Sequence, residues 1–68
     1  MISHFEKWYQ TYRKMFGKLD VKEANKRYER IRRVLEKEIM VAKSERRRNL
    51  LMDQLDALRE AFDDTFLC

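Results

Sequence analysis

Apolar residues recur at helical spacing along two long stretches of the chain. The first stretch runs from Asp20 to Ala42 and the second from Leu50 to Phe66. At about 100° per residue, the apolar positions of each stretch fall on one side of a helix. They are Val21, Ala24, Tyr28, Ile31, Leu35, Ile39 and Ala42 in the first, and Leu51, Leu55, Leu58, Phe62 and Phe66 in the second. The pattern predicts two amphipathic helices.

The two apolar stripes would point about 190° apart on a single straight helix, so one such helix could not bury both in one core. An antiparallel helical hairpin can bury both. Residues 43–49 contain no apolar side chain and are the predicted place of the turn. Because neither Gly nor Pro enforces a turn there, a continuous helix that buries its two faces against different partners is the alternative.

Two residues in this break can begin the third helix. Ser44 followed by Glu45 is typical of an N-cap and a first-turn acid. However, the arginines at 46–48 would then lie at a helix N-terminus, where the helix dipole disfavours cations. At the end of the second helix they would be favourable, with Asn49 as the next N-cap. We therefore predict helices over 21–43 and 49–66.

A shorter aromatic helix is predicted before the hairpin. Ser3 and Glu6 form a capping box, and Gly17 suits the left-handed position after a helix end, so the helix should cover 4–16. Its apolar residues lie within an arc of about 120°. They are Phe5, Trp8, Tyr9, Tyr12, Met15 and Phe16. We expect this face to pack on the hairpin. The alternatives are a helix lying on a membrane surface and a partner groove or dimer seam.

A second capping box, Asp20 with Glu23, follows Gly17 after only three residues. So short a link makes the first two helices meet at a sharp angle or run antiparallel. The sequence thus predicts an all-α fold, a single domain over 1–68 in which a long antiparallel hairpin carries a shorter aromatic N-terminal helix. The residues expected to be mostly buried are Trp8, Tyr12, Tyr28, Ile31, Leu35, Leu55, Leu58 and Phe62.

Composition and cysteine content indicate in which cellular compartment the protein is expected. The chain has 68 residues, with one Gly and no Pro, which suits long helices with few loops. No apolar run approaches the about 20 residues of a membrane span, so we do not expect a membrane partner. No secretory leader opens the sequence. Cys68, the only cysteine, cannot pair within the chain, and this fits a reducing compartment. We expect a cytoplasmic protein in which Cys68 is an incidental thiol.

The net charge of +4 hides a division along the chain. Residues 1–19 hold four bases and one acid, residues 20–49 hold eleven bases and six acids, and residues 50–68 hold one base and five acids. The outward face of the second helix carries Lys22, Lys26, Arg30, Arg33 and Lys37, and the break adds Arg46, Arg47 and Arg48. The outward face of the third helix carries Asp53, Asp56, Glu60 and Asp64. Interaction modules often divide their charge in this way.

Catalytic chemistry has little support in the sequence. His4 is the only histidine, and it lies at the first position of the first helix with no hydroxyl, thiol or carboxylate at a recognised spacing. Acids spread over two turns of the third helix, without a histidine, are typical of a solvated face rather than a metal site. We therefore expect no catalytic residue, no metal and no cofactor.

These patterns favour a small non-enzymatic adaptor or regulatory protein that binds another protein through its helical faces. The basic face should meet an acidic surface, in a partner or in a second copy of the chain. Apolar residues outside the main stripes predict self-association near Val34, Val41 and Leu50. The alternative function is nucleic-acid binding through the basic face and the arginines at 46–48, which would contact phosphates but read little sequence.

Overall fold

The chain forms three helices in a computed structural model that describes residues 2–67. They are α1 (His4–Gly17), α2 (Val21–Val41) and α3 (Glu45–Phe66), and this part of the chain contains no strand. Both α1 and α2 pack on α3. The predicted all-α three-helix fold is thus confirmed. The expectation for Cys68 lies outside the described residues. Within 2–67, no helix combines the length and apolar character needed to cross a membrane.

Each helix begins at a polar side chain that caps its free backbone amides. The amide of Glu6 donates to the Ser3 hydroxyl at 3.1 Å, and that of Glu23 donates to an Asp20 carboxylate oxygen at 2.8 Å. The two predicted N-caps are confirmed. Each replaces a hydrogen bond that the first turn of a helix cannot make internally.

The end of α1 differs from the prediction, because Gly17 is not a left-handed cap. Gly17 is the last helical residue, and its φ is not positive. Instead, the chain tightens as it leaves the helix, with the amide of Lys18 donating to Met15 O at 3.3 Å and that of Leu19 donating to Phe16 O at 3.1 Å. These short-range bonds satisfy the last carbonyls without a left-handed residue.

The break between α2 and α3 is shorter and earlier than predicted. α2 ends at Val41 and not at 43, and α3 begins at Glu45 and not at 49. The N-cap is Ser44, whose hydroxyl accepts from the amide of Arg47 at 3.3 Å. The continuous-helix alternative is wrong, since Ala42 has extended backbone angles.

Contacts with α2 explain why α3 can begin at Glu45 although arginines follow in its first turn. Considered on α3 alone, these arginines are unfavourable cations at a helix N-terminus. In the folded chain they lie beside the end of α2, where carbonyls carry partial negative charge. Arg48 donates to Ala42 O at 3.3 Å, and a guanidinium nitrogen of Arg47 lies 3.9 Å from a Glu38 carboxylate oxygen. The end of α2 therefore offsets the cost at the start of α3.

This boundary gives a testable prediction. Ser44→Ala should lower the free energy of unfolding by about 0.5–2 kcal/mol, because an N-cap hydrogen bond is lost. Asn49→Ala is the matched control, since Asn49 is exposed inside α3 and should change stability by no more than about 0.5 kcal/mol. Urea unfolding followed by circular dichroism measures both. A larger loss for Asn49→Ala than for Ser44→Ala would place the start of α3 at 49 instead.

α3 is the central helix, and α1 and α2 flank it with little contact between them. The Cα atoms accordingly spread over 36 × 29 × 16 Å, a flattened shape. Phe16 and Leu58 are the largest fully buried side chains. Around them lie small buried residues that let the helices approach closely. These are Ala24 on α2, and Ala57 and Ala61 on α3.

The expected core is confirmed in part. Tyr12, Leu35 and Leu58 are buried as predicted. Other members of the predicted set pack against the core but remain only half-buried. They are Trp8, Tyr28, Ile31, Leu55 and Phe62. A flattened arrangement leaves the edges of large side chains in contact with solvent, whereas an alanine at a helix crossing is covered completely.

Candidate protein-binding surface

The outward face of α2 presents a row of bases to solvent. We call this set the basic row: Lys22, Lys26, Arg30, Arg33 and Lys37. All five side chains are exposed. At about 100° per residue they lie opposite Ala24 and Leu35, which are buried on the side of α2 that faces the core. The row therefore points away from α3.

Two of the four acids on α2 are held by one base outside the basic row. Arg32, half-buried at the edge of the core, lies 2.6 Å from Glu29 and 3.2 Å from Glu36. The hydrogen bond and charge of Glu29, with a smaller effect of Glu36, raise the pKa of Arg32 above its ordinary value. Because Arg32 binds both acids, neither is bonded to the basic row.

Four members of the basic row are left without an ion-pair partner in the part of the chain that the structure describes. They are Lys22, Arg30, Arg33 and Lys37. Lys26 makes one long contact, 3.9 Å to Glu23, between two exposed side chains. Exposed pairs of this kind contribute little to stability. The positive charge of the middle of α2 is thus available to another molecule.

The arginines at 46–48 do not extend the basic row. They lie in the first turn of α3, and Arg47 and Arg48 are engaged with Glu38 and Ala42 of α2. Of the three, Arg46 alone is exposed without a hydrogen bond or ion pair among residues 2–67. The structure therefore separates this cluster from the α2 face with which the sequence had grouped it.

Exposed apolar side chains adjoin the basic row. Val34 is 53% exposed and Val41 is 68% exposed, and the two lie seven residues apart on one face of α2. Leu50, at 41% exposed, is on a different helix. It shares a face of α3 with Gln54 and Asp64, which bond to α1. Two of the three residues predicted for self-association thus share a surface with the bases, and the third does not.

The outward face of α3 carries a matching acidic row, which we define as Asp53, Asp56 and Glu60. All three side chains are exposed, and among the described residues they have no ion-pair partner. Asp64 was expected on this face but turns towards α1 instead. It accepts a hydrogen bond from the Tyr9 hydroxyl at 2.5 Å and lies 4.0 Å from Arg13. The hydrogen bond to Asp64 raises the pKa of Tyr9. Burial and the charge of Asp64 add to this rise, and Arg13 opposes it.

Polar contacts between α1 and α3 were missed by sequence reasoning. Gln54 donates to the Tyr12 hydroxyl at 2.8 Å, and Tyr9 bonds to Asp64. Burial raises the pKa of Tyr12, and the Gln54 hydrogen bond opposes this shift. The partners lie 42 and 55 residues apart in the chain, so no local spacing could reveal them. These bonds join α1 to α3.

The described residues contain no group that could mark a metal site, and the chain has no similarity that assigns it a role. Within residues 2–67, no three His, Cys, Asp or Glu side chains converge as a metal site would require. His4 packs edge-on against Trp8, with ring centroids 6.3 Å apart. No protein-family model, curated protein or solved structure matches the chain. The two charged rows and the exposed valines are the surface features described above that bear on a proposal of function.

Proposed function

We propose that this chain is a non-enzymatic adaptor or regulatory protein that binds an acidic surface of another protein through the outward face of α2. The observation that carries the proposal is the combination on that face of exposed, unpaired bases with exposed valines. Arg30, Arg33 and Lys37 supply charge, while Val34 and Val41 supply apolar area. Valines bring no advantage to a face that contacts only water. Covering them with another apolar surface is favourable, and exposed apolar patches often mark contact sites.

The charge pattern supports a protein more than a nucleic acid as the ligand. Phosphate binding would gain from a continuous positive surface, yet Arg47 and Arg48 are engaged within the chain. The acidic row on α3 would repel a phosphate backbone that passed over it. A protein surface of acids and apolar residues complements both components of the α2 face.

The proposal predicts that R30E/R33E weakens binding while the fold stays intact. Each substitution reverses a charge on an exposed side chain, so far-UV circular dichroism should not change. Immobilised wild-type chain should capture a stoichiometric partner from an extract of the source cells. The purified partner should then associate with R30E/R33E at no more than about a tenth of the wild-type rate. The association should also depend less on salt concentration.

K7E/K14E is the matched control for this variant. Lys7 and Lys14 are exposed on α1, away from α2, and their reversal changes the net charge by the same amount. This control should bind the partner as the wild type does. Equal binding by R30E/R33E and wild type would contradict the proposal. Wild-type binding to a mixed oligonucleotide that R30E/R33E alone loses, with no protein captured, would replace it by nucleic-acid binding.

A further inference from the structure

Three residues of the basic row and the three residues of the acidic row are separated by the same two intervals, taken in opposite order. Along α2, Lys26, Arg30 and Arg33 are separated by four and then three residues. Along α3, Asp53, Asp56 and Glu60 are separated by three and then four residues. At about 1.5 Å per residue, each set spans about 10 Å. By helical periodicity, each set also falls within an arc of about 60°. The acids therefore repeat the bases in reverse order along the helix axis.

The two rows cannot meet within one molecule. α2 turns its Ala24 and Leu35 side towards the core, so Arg30 and Arg33 point away from α3. Asp53, Asp56 and Glu60 are exposed on α3 itself. Each molecule thus displays two complementary helical faces that it leaves unpaired. A second copy of the chain carries the surface that each of them fits.

We propose that the basic row of one copy docks on the acidic row of a second copy. The proposal rests on the proposed function, because it uses the same face of α2. Antiparallel docking pairs Arg30 with Asp56 and Arg33 with Asp53, and parallel docking exchanges these partners. Either direction brings two arginines to two aspartates. Arginine suits such contacts because its guanidinium can bind a carboxylate with two parallel hydrogen bonds.

An exposed apolar side chain beside each row adds area to the contact. Val34 lies one turn after Arg30, and Met52 lies one turn before Asp56. They are 53% and 48% exposed in the single chain. Docking of the two faces covers the margin of each row and removes part of this surface from water. The contact is heterologous, since it joins two different faces, and it leaves one row of each kind open unless a ring closes.

Sedimentation equilibrium with the thiol reduced tests the proposal. The weight-average mass of the wild type should rise above 8.5 kDa between low and high micromolar concentration. Salt at about 1 M, where the Debye length is about 3 Å, should return it to the monomer value. R30E/R33E and D53R/D56R should each stay monomeric. K7E/K14E, which changes the net charge as R30E/R33E does, should associate as the wild type does.

Charge exchange makes the test specific for this pair of faces. An equimolar mixture of R30E/R33E and D53R/D56R should associate, because the first keeps an intact acidic row and the second keeps an intact basic row. The quadruple variant R30E/R33E/D53R/D56R restores the wild-type net charge and reverses both rows, so it should associate alone. Circular dichroism of each variant establishes that the helices are retained.

Three results would overturn the proposal. They are a wild type that stays at 8.5 kDa throughout, an R30E/R33E variant that associates as the wild type does, and a mixture of the two double variants that remains monomeric. Failure here is distinguishable from failure of the proposed function. A monomeric wild type that still binds a different protein through Arg30 and Arg33 retains the function and loses the self-association. If the wild type neither associates with itself nor binds another protein through these arginines, both proposals are wrong.

Discussion

Leu58→Ala is expected to lower the free energy of unfolding by about 2–5 kcal/mol, the usual range for truncating a buried leucine. Leu58 is fully buried on α3, the helix on which both others pack. Its loss would leave a cavity that three helices would have to close by shifting. At about 0.05–0.15 kcal/mol per residue, a chain of this length has about 3–10 kcal/mol of stability in total. The variant should therefore retain little of it.

Thermal and urea unfolding measure this loss, with Leu67→Ala as the control. Leu67 is 73% exposed, so the same chemical change should alter stability by no more than about 0.5 kcal/mol. A Leu58→Ala variant that melts within a degree or two of the wild type would mean that Leu58 is not part of the core. The phase assigned to α3 would then be wrong.

Phe16→Ala should cost about 3–5 kcal/mol, because truncating a buried aromatic ring removes both its burial and its ring contacts. Phe16 is fully buried near the end of α1. Its ring centroid lies 5.5 Å from that of Phe62 and 6.3 Å from that of Phe66, both on α3. Phe62 in turn contacts Tyr28 of α2 at 4.9 Å. Phe16 thus belongs to an aromatic cluster that joins all three helices.

The matched control for this variant is Phe5→Ala on the same helix. Phe5 is only half-buried and stacks on Tyr9, with ring centroids 6.1 Å apart, so its truncation should cost clearly less. Urea unfolding, followed by circular dichroism for helix content, compares the two. If Phe5→Ala proves as damaging as Phe16→Ala, the anchoring of α1 does not depend on the aromatic cluster.

Helix starts could be predicted from the sequence because an N-cap is a local device. Ser3 and Asp20 bond to amides three residues away, and both were identified from spacing alone. The start of α3 was misplaced because it depends on tertiary structure. Whether arginines are tolerated after Ser44 depends on Glu38 and Ala42, which only the fold brings beside them.

The core could be predicted where one helix face meets one neighbour. α3 has two neighbours, and its second buried side is made of alanines. Ala57 and Ala61 are fully buried and share a face with Asp64, which bonds to Tyr9 of α1. Small residues give a weak hydrophobic signal, so the large residues at 51, 55, 58 and 62 defined a single stripe. Two alanines four residues apart, off that stripe, were the available sign of a second contact.

The sequence predicts which bases share the outward face of α2. It does not predict which of them lack an ion-pair partner. Helical periodicity alone placed Arg30, Arg33 and Lys37 on one face. Which bases are neutralised depends on rotamers and neighbours. Arg32 has the same charge as its neighbours, yet it alone binds both Glu29 and Glu36. That distinction depends on side-chain positions, which only the folded chain fixes.

The packing of α1 on α3 also affects how the chain folds during synthesis. α1 is made before α3, the helix that covers its aromatic face. At about 5–20 residues per second, the 42 residues that separate Tyr12 from Gln54 require about 2–8 s. Throughout that interval the aromatic face of α1 has no α3 to pack on, so the native packing of α1 cannot form until the residues of α3 have been added.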